Sequence, residues 1–144
     1  MSDNRIFKFR GQDRDKKWHF GDLHHYWDGS VGIREIENKY GFVVQPDTVG
    51  QFTGLYDGVE GEDSRNEIFE DDICTVTETF INNNGEKHTK VYIMLVRYKN
   101  YKFEFFSPLT IPRDLQYIND FCTTKVIGNI PDTPELLERG KEND

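Results

Sequence analysis

The stretch that decides the fold runs from Ile73 to Phe106. It reads ICTVT at 73–77, NNNG at 82–85, TKVYIMLVRY at 89–98 and YKFEFF at 101–106. Successive side chains of a strand point to opposite faces, so Ile73, Thr75 and Thr77 share one face and Cys74 and Val76 the other. Asn and Gly enter positive φ at little cost, so 82–85 predicts a turn. Thr89 to Tyr98 is β-branched and aromatic, the composition of a pleated, half-buried surface. Lys99-Asn100 is short enough to reverse the chain into Tyr101–Phe106. The segment therefore predicts a three-stranded antiparallel meander, stopped by Pro108 and Pro112.

The same period extends outward. Ile6 to Arg10 alternates, with Phe7 and Phe9 on one face. Gly11 to Lys17 reads as a charged turn, and Trp18 to Leu23 as strand. Asp28-Gly29, between Tyr26-Trp27 and Val31-Gly32-Ile33, is a hairpin signal. Gly41 to Val44 is a short apolar run ended by Pro46. Asp57 to Glu67 holds acids and glycines with little to bury, and reads as an exposed loop. Downstream, Leu115, Ile118 and Phe121 have the spacing of one or two helical turns. Thr124 to Ile130 reads as a last strand, and Pro134 opens a short helix over Glu135–Glu138.

Composition sets limits. The chain has 144 residues, 14% aromatic and 35% hydrophobic, with net charge −8. That length makes one domain or two very small ones. No apolar run is long enough for a bilayer, and Met1 to Arg10 has no signal-like apolar region. Cys74 and Cys122 are too few for a disulfide framework. They read as reduced thiols of a cytoplasmic protein, although pairing between them stays open.

Constellations for chemistry are sparse. His19, His24, His25 and His88 lack the paired spacing of a zinc site, so no metal and no cofactor is expected. Glu70-Asp71-Asp72 and Glu60, Glu62 and Asp63 lack the offsets of a calcium loop. Ser64 and Ser107 have no nucleophile elbow. A hydrolase-like site would need Asp22, His24 or His25, and Asp72 to converge, and no catalytic residue is assigned. Arg97, Lys99, Tyr101 and Lys102 interleave basic and aromatic residues, the flavour of a single-stranded nucleic-acid contact. Against that contact stand the net charge and a simpler reading. In it Tyr101, Phe103 and Phe105 share a core face and the lysines are solvated.

Three stretches carry a resemblance. They are IFKFR at 6–10 with FGDL at 20–23; QPDTVGQFTGLYD at 45–57 with EIFEDDI at 67–73; and KVIGNI at 125–130 with PELL at 134–137. In order and spacing the chain resembles the YopX family of phage and prophage proteins. That family usually has Gly where Asp71 stands, so the turn here must manage without glycine's freedom. The resemblance implies an all-β, mainly antiparallel fold whose C-terminal part is a small SH3-like barrel. The resulting division is an N-terminal β region at 1–57, a loop at 58–67, the barrel at 68–131, and a short helix with a frayed acidic tail at 132–144. The family-motif positions Gly21, Asp22, Thr48, Gly50, Gln51, Phe52, Thr53, Gly54, Asp72, Gly128 and Asn129 read as fold-defining, serving turns and close approaches. No activity is implied. The reading that follows is a non-enzymatic interaction module in a bacterial cytoplasm, acting as a homo-oligomer or on a host or phage protein. Nucleic acid is the alternative partner.

Overall fold

The computed structural model describes residues 7–35, 40–58, 65–107, 110–115 and 122–142. The chain divides into two units, Met1–Gly54 and Leu55–Asp144.

The first unit is an antiparallel sheet. Its strands are β1 (Phe9–Gln12), β2 (Trp18–His25), β3 (Val31–Arg34), β4 (Phe42–Val44) and the start of β5 (Gly50–Tyr56), in the order β4-β3-β2-β1-β5. Leu23 pairs with Ile33 and Ile33 with Phe42. Side chains of one parity therefore build a small core of Val31, Ile33 and Val44 with Phe9, Leu23 and Val49 packed on it. The β2–β3 turn lies where Asp28-Gly29 predicts it. Tyr26 N–H donates to the Ser30 carbonyl, and Gly29 takes φ 91°. The predicted charged turn begins later than its sequence suggests, because Gly11 and Gln12 belong to β1. Asp13 closes the turn by accepting the N–H groups of Asp15 and Lys17 on Oδ1. Such side-chain acceptors are what Asp offers a turn.

The second unit contains β6 (Glu67–Phe69), β7 (Asp72–Ile81), β8 (Lys87–Lys99), β9 (Lys102–Ser107), β10 (Thr110–Asp114), β11 (Thr123–Asn129) and helix α1 (Glu135–Glu142). Its antiparallel sheet has the order β10-β9-β8-β7-β11. The predicted meander is β7-β8-β9. Cys74 lies opposite Met94, and Val96 opposite Phe105. These four join Val76, Ile68 and Leu115 in the larger core. Burying each large apolar side chain there contributes about 1.5–3 kcal/mol.

The fold is all-β and mainly antiparallel, as expected. The barrel is not closed. Among the described residues β10 and β11 are the two ends of the strand order and do not pair with each other. Pro112 does not stop the sheet. β10 runs through it as an edge strand, and its register shifts between Thr110 and Arg113. An edge tolerates proline because one side needs no donor. Thr110–Asp114 is strand, and of the expected helical turns Leu115 is helical while 116–121 lie outside the described residues, as do Ile6, Pro108 and the loop acids Glu60, Glu62 and Asp63. Helix α1 extends to Glu142, beyond the predicted Glu138. The β8–β9 reversal falls one residue late, on Asn100-Tyr101, both with positive φ.

Candidate interaction surfaces

Two parts of β8 leave the sheet, one at each end. β7 and β8 pair from Ile73↔Leu95 to Ile81↔Lys87. β11 accompanies β7 only as far as Thr77, and β9 accompanies β8 only from Leu95. Glu78–Ile81 with Lys87–Lys90 is therefore a two-stranded ribbon with no third strand among the described residues. Its tip is closed by Asn82, whose Oδ1 accepts the N–H groups of Asn84 and Glu86. One parity carries Thr79, Ile81 and Thr89 in the ribbon and continues into the sheet through Thr77, Val91 and Ile93. Ile81 is 71% exposed and Val91 58%. Only Lys87 brings charge to that face. On the opposite parity Phe80 stacks on His88, 5.6 Å between centroids.

At the other end of β8 lie Arg97, Lys99, Tyr101 and Lys102. The strand register places Arg97 opposite Glu104 and Lys99 opposite Lys102. Arg97 Nε donates to Glu104 Oε1 at 2.8 Å, and its guanidinium lies 3.9 Å from the Phe106 ring centroid. Phe105 is buried and Phe103 packs against the core, as a core face requires. Tyr101 does not share that face. It stands in the turn itself, 94% exposed.

The motif positions are engaged with backbone. Thr48 Oγ1 accepts the Gln12 N–H at 2.8 Å and donates to the Gln45 carbonyl. Phe52 is buried, and its N–H donates to the Lys8 carbonyl. Gly50, Gln51, Thr53 and Gly54 lie with it on β5, where Gly54 takes φ 86°. Asp72 Oδ2 accepts the Phe69 N–H at 2.7 Å and closes the β6–β7 turn. A Cβ on Gly21 would lie 2.1 Å from the Arg34 carbonyl oxygen, and one on Gly128 2.1 Å from Thr133 Oγ1. Asn129 Oδ1 accepts the Asp132 N–H, and its own N–H donates to Thr133 Oγ1, so the β11–α1 connection is braced. Asp22 and His24 are exposed on β2 of the first unit.

Two buried polar centres escape the sequence reading. His19, read from sequence only as lacking the spacing of a metal ligand, is buried. Its Nε2 lies 2.8 Å from Asp13 Oδ2 and its Nδ1 2.9 Å from Glu35 Oε1, with Phe42 stacked on the ring at 4.1 Å. The hydrogen bond from His19, ahead of the Lys17 N–H, holds the Asp13 carboxyl below the usual carboxylate range. Asp57 corrects the loop expectation more sharply, because it is 2% exposed. Oδ1 accepts the Asn66 N–H at 2.6 Å. Oδ2 accepts Asn66 Nδ2 at 3.0 Å and the Val126 N–H at 2.9 Å. A carboxylate has about four lone-pair sites, and this one uses three to tie β5, β6 and β11 together. An Asp at a strand end is not distinguishable by sequence from a solvated loop acid.

Both cysteines are free thiols. Burial, then Glu78, pushes the Cys122 thiol up, and Arg113 partly opposes them. Among the described residues no helix is long and apolar enough to cross a membrane.

The geometry defines a two-unit, antiparallel all-β protein whose unusual surface lies at the two ends of one long strand. The YopX protein family model matches residues 8–138, nearly the whole chain, and the chain belongs to the YopX family. Comparison with curated proteins returns no match, and neither does comparison with solved structures.

Proposed function

We propose that this chain is a non-enzymatic interaction module that self-associates through the β7–β8 ribbon. The carrying observation is the β-branched face on which Thr79, Ile81, Thr89 and Val91 are exposed, flanked by half-buried Thr77 and Ile93. Two copies of a chain with net charge −8 repel, so they meet best through a surface with little charge. Beyond Thr77 the ribbon offers such a face together with unpaired strand edges among the described residues. Exposed edges pair readily with another chain, and a two-fold contact lets the same patch serve both copies. The family resemblance adds a setting, a product of a phage or integrated element in a bacterial cytoplasm. Two free thiols suit that reducing compartment.

Sedimentation equilibrium at high micromolar concentration tests the reading. The wild-type chain is expected as a dimer or larger closed oligomer. Ile81→Lys with Val91→Lys is expected to give monomers with unchanged far-UV circular dichroism. A strictly monomeric wild-type mass overturns the proposal, as does an oligomer that survives both lysines.

A further inference from the structure

The β8–β9 turn combines three choices that a purely structural hairpin avoids. Asn100 and Tyr101 have φ 56° and 67°, and Asn-Gly or Gly-Gly is the favoured pair for a two-residue turn of that geometry. An aromatic residue with a Cβ stands at the second position instead, 94% exposed. Lys99 and Lys102 lie directly opposite each other, where like charges are destabilising. Glu104 is buried and held by Arg97, so it does not face the lysines as a free carboxylate. In a chain of net charge −8 this tip carries the opposite sign. Local conflicts of this kind concentrate where a surface is used.

We propose that the β8–β9 tip binds single-stranded nucleic acid. Tyr101 stacks on an unpaired base, and Lys99 and Lys102 take the flanking phosphates. A single strand fits better than a duplex, whose bases are already stacked. It also fits better than a bilayer, where binding scales with buried apolar area and one tyrosine supplies little. Arg97 supports the site through Glu104 and Phe106 and leaves the two lysines as the phosphate contacts. The proposal does not depend on self-association, because ribbon and tip occupy opposite ends of β8.

Fluorescence anisotropy of a labelled oligothymidylate with the full chain tests it. Binding at low salt is expected, with a log K against log salt slope of about −1.4, the value for two phosphates of a single strand. Lys99→Glu with Lys102→Glu is expected to abolish it. Tyr101→Gly is the decisive variant. It relieves the left-handed strain, so the melting temperature rises, while affinity falls about tenfold through the lost stack. A merely structural tyrosine would not move those two readouts in opposite directions. The proposal is overturned by no binding at low salt, by affinity unchanged in either variant, or by equal affinity for duplex. It is equally overturned if phosphatidylserine vesicles bind and the oligonucleotide does not.

Discussion

Asp71 sets a quantitative test of how this fold manages a turn that its relatives are expected to make with glycine. Its φ is 72°, and the conformation is clamped. The Asp71 N–H donates to the Val96 carbonyl at 2.8 Å, and its carbonyl accepts the Ile130 N–H at 2.9 Å. Relaxing to negative φ would sacrifice both bonds, each worth about 1 kcal/mol net, so the turn keeps its shape when the side chain changes. Left-handed backbone costs a residue with a Cβ about 1–2 kcal/mol, and Asp escapes part of that. Comparing Asp71→Ala with Asp71→Gly removes the aspartate's own contacts from both sides of the ledger. Glycine gains the relieved strain and loses about 0.5–1 kcal/mol to its freer unfolded chain. Asp71→Gly should therefore be the more stable of the two by about 0.5–1 kcal/mol. In a unit of this size that is about 2–8 °C in melting temperature. Trp18 and Trp27 both lie in the first unit, so far-UV circular dichroism against urea is the right probe, with m unchanged between variants. Glu70, the preceding turn residue, is not among the positive-φ residues and is the control. There Gly should be less stable than Ala. An Ala variant at 71 as stable as its Gly counterpart would refute the reasoning.

Other consequences concern the buried polar centres. Asp57→Ala removes an acceptor from three N–H groups of the second unit and should cost about 3 kcal/mol, read as a lower urea midpoint by circular dichroism. Asp13 has a folded carboxyl pKa below its ordinary 3.8, so its contribution is present above the unfolded value and lost as pH falls through the folded one. The melting-temperature gap between wild type and Asp13→Asn, followed by tryptophan fluorescence, should be largest near neutrality and close below about pH 4. Cys122, with its thiol pushed up, should react slowly with iodoacetamide at pH 7 and accelerate only above the usual thiol range. Fast labelling at neutral pH would contradict the burial assigned to it. Gly128→Ala places a methyl within 2.1 Å of Thr133 Oγ1 and 2.7 Å of Leu136 Cδ1. Its expected penalty is about 1–3 kcal/mol, seen in the same urea titration.

The period-2 pattern of residues 73–106 was sufficient to place β7, β8 and β9, because alternation states directly which side chains can face one core. Asp28-Gly29 and Asn82–Gly85 marked their turns for an equally local reason. What sequence could not show was where along an alternating strand the core stops. Ile73 is buried, whereas Thr79, Ile81 and Val91 on the same face of the same two strands are exposed. The difference lies in whether β9 and β11 run alongside, and that is set by residues far away in the chain. Asp57 was illegible in the same way, since its partners are Asn66, just before β6, and Val126 in β11. Tyr101 was misplaced because counting the turn one residue early put it on the Phe103–Phe105 face. One residue of register exchanges faces, or at a turn exchanges core for solvent. The two candidate surfaces thus arise where an ordinary alternating sequence runs past the neighbours that would bury it. A core explanation for the ribbon apolars and for Tyr101 therefore fails on position, which is why the two proposed contacts are placed at the two ends of β8.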